Sequence, residues 1–321
     1  MIRHFLALAL LTAGLTTAAR AQQEGPTPTQ ALVAFDSKAP VAPTASDVTI
    51  KVDNRVTPLL NLAPVPPNGV QIAILIDDGL RRSISQQLND LRAFVTSLPA
   101  STEVFVGYMQ NGRVISATGA DPGFTTDHAA AAAALRISVG LPGVSASPYF
   151  CLSDFVKNWP GASEFQQPQQ PRPAGHKARF VLMITNGVDP YNGSTSILNQ
   201  NSPYVDTAMT DAQRAGVPIY SIYFPDSGFR GARGSFSGQS YLAQVAEGTG
   251  GITFYQGTIP PVSLGPYLKQ FQNAIAETYV ATFNAPISKN LARIKLSTNL
   301  PKTKVRAPDE VRAGTVILQQ Q

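Results

Sequence analysis

The sequence is poor in the residues that build most metal and redox centres. Its 321 residues include one Cys, three His and one Trp, and only 14% are charged. A single Cys excludes an internal disulfide framework and a multi-cysteine zinc site, and three His exclude a histidine-rich metal centre. No long apolar run occurs beyond the N-terminus, which excludes a multispanning helical membrane protein. Lys and Arg form no dense stripe interleaved with aromatics, so nucleic acid is not an expected partner. Against these shortages stand a 43% apolar fraction, enough for a real core, and frequent Gly (25) and Pro (26), which predict punctuated loops.

The first segment reads as an address. Arg3 and His4 form a short basic start, Phe5 to Ala18 an apolar stretch too short to span, and Ala19-Arg20-Ala21 a small-x-small cleavage signal. Residues 1–21 are therefore expected to be a secretory signal peptide, with the protein exported to the periplasm or the medium. No Cys follows the apolar stretch, so no lipoprotein anchor is expected. Cleavage would remove Arg3 and Arg20 and lower the formal charge from +5 to +3. A lone thiol in an oxidising compartment fits burial, and Cys151 between Phe150 and Leu152 reads as structural rather than nucleophilic.

Gln22 to Thr29 is polar and reads as a flexible leader. Val48–Val52 and Arg55–Leu60 read as short strands around Asp53-Asn54, and Pro64 to Gly69 as a linker. From Val70 the pattern alternates strand and helix. Gln71–Ile76 and Arg179–Ile184 are short continuous apolar runs, the mark of strands buried on both faces. Helices are expected over Ser83–Ser97, Thr125–Ser138, Leu152–Trp159, Val205–Ala215, Tyr241–Glu247 and Leu264–Glu277. Glu103–Met109 and Arg113–Thr118 should form a hairpin across Asn111-Gly112. Pro218–Phe224 and Ile252–Tyr255 are further strands, and Gln166–Gly175 a low-complexity surface loop. Tyr279–Phe283, Ala292–Ser297 and Lys304–Arg306 form a β tail.

The expected fold class is α/β, with a doubly wound, mostly parallel sheet flanked by helices and small β segments before and after it. The divisions are residues 22–69 (leader, β segment and linker), 70–262 (the α/β domain) and 263–321 (helix and β tail). The flanking strands should either form a small β unit or extend one edge of the main sheet.

In an open α/β sheet ligands sit beyond the carboxyl ends of the strands. Asp77 and Asn186 both follow such ends. The strand ILID followed by a long helix, the early hairpin and the strand end LMITNG resemble a von Willebrand factor type A (VWA) domain over Val70 to Ile259. The segments DVTIKVDNRVTPLLNL and YLAQVAEGTGGITFY and the β tail extend the resemblance to exported VWA-related proteins described from acidobacteria. That resemblance implies a metal-ion-dependent adhesion site, with Asp-x-Ser-x-Ser in a first loop, Thr in a second and Asp in a third, suited to Mg²⁺ or Mn²⁺. Here Asp77 matches the first Asp, but the two Ser positions fall on Gly79 and Arg81. Ser145 and Ser147 are both candidates for the second-loop hydroxyl, and the third-loop Asp falls on Asn186.

The adhesion site is therefore expected to be degenerate. No cofactor is expected, and Asp77 is a weak metal candidate, with Asp78 facing the other way from regular strand geometry. Arg81 has two readings. In one it replaces the cation, pairs with Asp77 and presents its guanidinium to an acidic partner. In the other, favoured on the sequence, Asp77-Asp78-Gly79 only turns the chain and caps the helix, with Arg81 in solvent. Arg230 and Arg233 could add to an anion-friendly rim, diluted by Asp189 and Asp226, or keep a surface loop soluble.

No enzyme is expected. GVSAS and GSFSG miss the nucleophile-elbow pattern, and His128 and His176 are isolated. The leading expectation is an exported binding or adhesion module recognising a protein or cell-envelope component through its strand-end rim. The alternatives are a scaffolding protein whose flanking β segments make the contacts, and a cryptic hydrolase.

Overall fold

The computed structural model describes residues 25–119, 123–137, 139–161, 177–190, 202–226, 235–255 and 257–318. The expected signal peptide, the Gln166–Gly175 loop, His176, Arg230 and Arg233 lie outside them.

Four strands come first: β1 (Thr27–Ser37), β2 (Val48–Val52), β3 (Arg55–Thr57) and β4 (Leu59–Pro64). The mixed α/β part then runs through β5 (Val70–Asp77), α1 (Arg81–Ile84), α2 (Leu88–Ser97), β6 (Glu103–Gln110) and β7 (Arg113–Ser116). It continues through α3 (His128–Ala134), α4 (Pro148–Lys157), β8 (Ala178–Thr185), α5 (Pro203–Ala215) and β9 (Ile219–Tyr223). Last come α6 (Ser235–Thr249), α7 (Gly265–Ala276), β10 (Thr278–Ala285), β11 (Ala292–Thr298), β12 (Thr303–Arg306) and β13 (Glu310–Val311).

The central sheet has the order β7-β6-β5-β8-β9. β5, β6, β8 and β9 are parallel neighbours, and β7 is antiparallel to β6. The β6–β7 turn has Asn111 at φ 47° and Gly112 at φ 89°, the left-handed pair that a two-residue hairpin requires. Along β5 the side chains alternate between two cores. Ile72, Ile74 and Ile76 join residues of α2, α3 and α7, whereas Ala73 and Leu75 join residues of α4, α5 and α6. Burial on both faces explains why β5 and β8 read as unbroken apolar runs, each buried aliphatic contributing about 1.5–3 kcal/mol.

The chain leaves β5 toward β6 on one side and returns to β8 on the other. Strand order thus reverses between β5 and β8, and it is beyond the carboxyl ends of strands at such a reversal that open α/β sheets take their ligands.

The flanking strands build their own unit, two four-stranded antiparallel sheets ordered β12-β1-β10-β4 and β13-β11-β2-β3. Ala31, Val33, Phe35 and Phe283 face Val48, Ile50, Val52 and Ile294 between those sheets. On the other side of the same strands Leu32 and Val280 enter the main core. Of the two arrangements expected for the flanking strands, the separate β unit is the one formed.

Several elements differ from the sequence reading. The expected leader Gln22–Thr29 overlaps β1, which begins at Thr27 and pairs with β10 from its first residue. The helix expected over Ser83–Ser97 is broken by a 3₁₀ turn at Ser85–Gln87. The Ala-rich helix is confined to His128–Ala134, capped by Asp127 accepting from the Ala130 N–H. α4 starts at Pro148 rather than Leu152, because Ser147 caps it and Pro is favoured in the first turn. The expected strand at Ile252–Tyr255 makes only a single bridge, Thr253 to Ser221.

Candidate functional site

Asp77 ends β5 at the reversal of strand order and is fully buried. One carboxylate oxygen accepts from the Gly79 N–H at 2.9 Å, which turns the chain into a short 3₁₀ helix. The other accepts from the Thr185 hydroxyl at 2.6 Å. Thr185 ends β8, and because Ile76 is in register with Ile184 the next residues stand side by side. The Thr185 hydroxyl also accepts from the Gly187 N–H at 3.0 Å, so it ties both strand ends together. Thr185 was missed by sequence reasoning; the shared signal is an apolar run of equal kind ending in a polar residue in both strands.

Asp78 faces the other way and is also buried. Arg81 donates to both of its oxygens, Nε at 2.8 Å and Nη2 at 2.5 Å, a bidentate pair on one helical turn. The Asp78 carboxylate accepts from the Gly143 N–H at 2.7 Å as well. The remaining Arg81 donors reach the carbonyls of Gly140 at 2.6 Å and Leu141 at 3.2 Å. Burial is the largest single influence on the Asp78 carboxyl and pushes its pKa up. The Arg81 hydrogen bonds and charge, the Gly143 N–H and Gln110 together outweigh it, and the pKa lies below the ordinary carboxylate value. Both sequence readings of Arg81 need correction. Its carboxylate partner is Asp78, not Asp77, and at 9% exposure it does not stand in solvent. The reason is reach: an i, i+3 pair closes on one turn, and the loop carbonyls take the leftover N–H groups.

The structure separates the two candidate hydroxyls. Ser147 is fully buried and caps α4, accepting from the Tyr149 N–H at 3.3 Å. Ser145 is exposed, and its hydroxyl donates to Asn111 Oδ1 at 2.6 Å on the β6–β7 turn. Asn186, at the third-loop position, is buried. Its amide donates to the Asp226 carbonyl at 3.0 Å and its oxygen accepts from the Val188 N–H at 3.1 Å. Gly79 is buried inside the turn that Asp77 caps. Tyr149, on α4, donates to the Gly187 carbonyl at 3.0 Å. Its hydroxyl pKa is raised well above the ordinary value, first by complete burial and then by the charges of Asp189, Tyr241 and Asp77. Asp189 is itself buried and accepts from the Ser202 hydroxyl.

Asp77, Asp78, Gly79, Arg81, Ser147 and Asn186 are thus all buried at this end of the sheet, and Ser145 stands at its surface. The donor set is short of what a hard divalent cation takes: among the described residues no group of three His, Cys, Asp or Glu is placed to hold a metal. His128 lies at the opposite end of β6, with Nε2 2.7 Å from the Thr102 carbonyl. Cys151 is buried on α4.

No family model matches the chain, and no curated protein does. Among solved structures it is similar to proximal thread matrix protein 1 from the mussel byssus, at 14% identity and a TM-score of 0.38 over 75% of this chain and 49% of that one. It is similar to the open conformation of the pilus adhesin SpaC from Lactobacillus rhamnosus GG, at 8% identity and 0.43 over 88% and 41%. The N-terminal domain of TFIIH p34 is similar at 14% identity and 0.37 over 63% and 95%. The chain spans under half the length of the mussel and pilus proteins.

Proposed function

We propose that this chain is an exported binding module of the von Willebrand factor type A kind, with a doubly wound main sheet and a degenerate adhesion site. Its rim at the carboxyl ends of β5, β6 and β8 recognises a protein or cell-envelope component in the periplasm or outside the cell, and it carries no catalytic step. The observation that carries this reading is the buried Asp78–Arg81 pair, which fastens the Gly140–Gly143 loop over the strand ends. A parallel sheet binds ligands at that end, and here side chains rather than a cation hold the second loop to the first. Asp77 has both oxygens engaged by Gly79 and Thr185, which supports a rim that works without Mg²⁺ or Mn²⁺.

A second reading has one specific observation in its favour. β3 and β4 are edge strands, and Val56 (68%) and Leu60 (53%) on them are exposed, as a scaffolding protein joined through its β unit would need. The two readings separate in one binding assay against envelope fractions. Phe150, in the first turn of α4 with its ring beside Gly112 of the β6–β7 turn, is half-exposed at the carboxyl end of β6. Phe150→Ser should weaken association about tenfold, a usual size for an exposed aromatic anchor, while Val56→Ser with Leu60→Ser leaves it unchanged. The reverse pattern favours the scaffold.

A further inference from the structure

Two loops rest on the helical run that starts at α1, and both end in aliphatic tips. At its start Arg81 holds the carbonyls of Gly140 and Leu141. Six residues on, at the end of the Ser85–Gln87 3₁₀ turn, Gln87 donates to the carbonyls of Pro261 and Val262, both at 3.2 Å. The two grips are separated by about 9–12 Å of helix. Beyond them Val139 and Leu141 are 94% exposed and Val262 95% exposed. Exposure that complete means that no neighbouring side chain covers a flank. These are separate protruding points on tethered backbones, not parts of a flat patch.

That shape decides between partners. A folded protein would need a matching hole for each point, since interface cores pack as densely as interiors. The boundary between lipid headgroups and acyl chains closes around separate aliphatic side chains without one. Charge points the same way. In segments 136–144 and 257–264 the only charged residue is Arg136, which is exposed. The two carboxylates that touch them are engaged from within, Asp78 by Arg81 and the Gly143 N–H, and Asp90 by the Ser263 hydroxyl and the Leu264 and Gly265 N–H groups, so Arg136 is the charge these loops offer an anionic surface. The side-chain grips also fix the loops before contact, which lowers the ordering cost of docking.

We propose that these loops dock the chain onto an anionic phospholipid bilayer, with Val139, Leu141 and Val262 entering the headgroup–acyl boundary and Arg136 on a lipid phosphate. The proposal rests on the rim reading above and names its partner. The test is co-sedimentation of the mature full chain with protein-free vesicles of phosphatidylglycerol and phosphatidylethanolamine, with phosphatidylcholine vesicles as the neutral control. Wild type should bind the anionic vesicles. Val139→Ser, Leu141→Ser and Val262→Ser combined should weaken binding at least about tenfold, and Arg136→Gln about fivefold, with an unchanged melting curve. No binding to the anionic vesicles, or full binding by the triple variant, overturns the proposal, and equal binding to phosphatidylcholine overturns its anionic part. Envelope fractions tell the two failures apart. If wild type ignores vesicles but binds envelope fractions through these tips, the lipid proposal falls and the rim reading stands. If the triple variant binds envelope fractions like wild type, the lipid proposal falls, and the rim reading falls with it when Phe150→Ser binds like wild type as well.

Discussion

The Thr185 hydroxyl donates a 2.6 Å hydrogen bond to the Asp77 carboxylate across the β5–β8 pair, at the point where strand order reverses. Both residues are fully buried, so neither oxygen has water as a fallback. Thr185→Val keeps the shape and deletes the donor. It should cost about 1–3 kcal/mol, the penalty for leaving a buried acceptor short of a partner. Thr185→Ser keeps the hydroxyl and should cost distinctly less. Urea denaturation of the two variants side by side checks this, and equal losses would assign the effect to packing.

The Asp78–Arg81 pair should be the more expensive one to break. Asp78→Asn leaves the Arg81 guanidinium buried without its counter-charge, a loss of about 3–5 kcal/mol for a buried pair. Its pH signature has a definite sign. The folded pKa of Asp78 is depressed, so its contribution is fully present above the unfolded carboxylate value and is lost as pH falls through the folded value. Wild type should therefore lose this stability below about pH 4, and Asp78→Asn should lack that part of the acid slope. Denaturant midpoints across an acid series read it directly.

The parts of this site that were legible in the sequence are those fixed by neighbours along the chain. The apolar runs ending at Asp77 and before Asn186 mark strands buried on both faces, and Asn111-Gly112 supplies the two left-handed residues of a tight hairpin. What was not legible depends on distant partners. Thr185 meets Asp77 only through the register of β5 on β8. Arg81 finds the Gly140 and Leu141 carbonyls 59 and 60 residues away. The start of β1 looked like a leader because Gln22 to Thr29 is polar and Pro-containing, and Gln30, the next residue, is polar too. Gln30 is nevertheless buried, and its side-chain oxygen accepts from the N–H groups of Ile317 and Leu318 near the other end of the chain.

Metal titration addresses the degenerate site. A divalent cation at Asp77 would have to displace the Thr185 hydroxyl and the Gly79 N–H from a carboxylate already satisfied by both. Mg²⁺ and Mn²⁺ should therefore give no micromolar heat in calorimetry and no shift in melting temperature against chelator, since a cation that binds only the folded state must raise it. Binding that is lost in Asp77→Asn would mean that the carboxylate opens toward the metal and that the rim is metal-dependent.

Gly238 on α6 tests how closely the helix must approach the strand end that carries Asn186. A Cβ at this position would lie 2.1 Å from the Asn186 backbone oxygen, with the Asn186 and Gly187 carbonyl carbons both at 3.2 Å. These atoms are backbone and cannot rotate aside. Gly187 has φ 64° and its own Cβ position lies 2.5 Å from the Gly238 oxygen, so the two glycines face each other and neither tolerates a side chain. Gly238→Ala raises helix propensity by close to 1 kcal/mol, yet it should destabilise the protein by about 1–3 kcal/mol net because α6 must back away. The displacement would pull on Asn186 and Thr185, so the same variant should also weaken association with envelope fractions. Gly248→Ala is the matched control. It lies on the same helix and its Cβ would meet the Met209 sulfur at 2.3 Å, the end of a flexible side chain that can move. Its loss of stability should be smaller and its binding unchanged. Equal effects from the two variants would mean that the Gly238–Gly187 contact has no special role in holding the strand end.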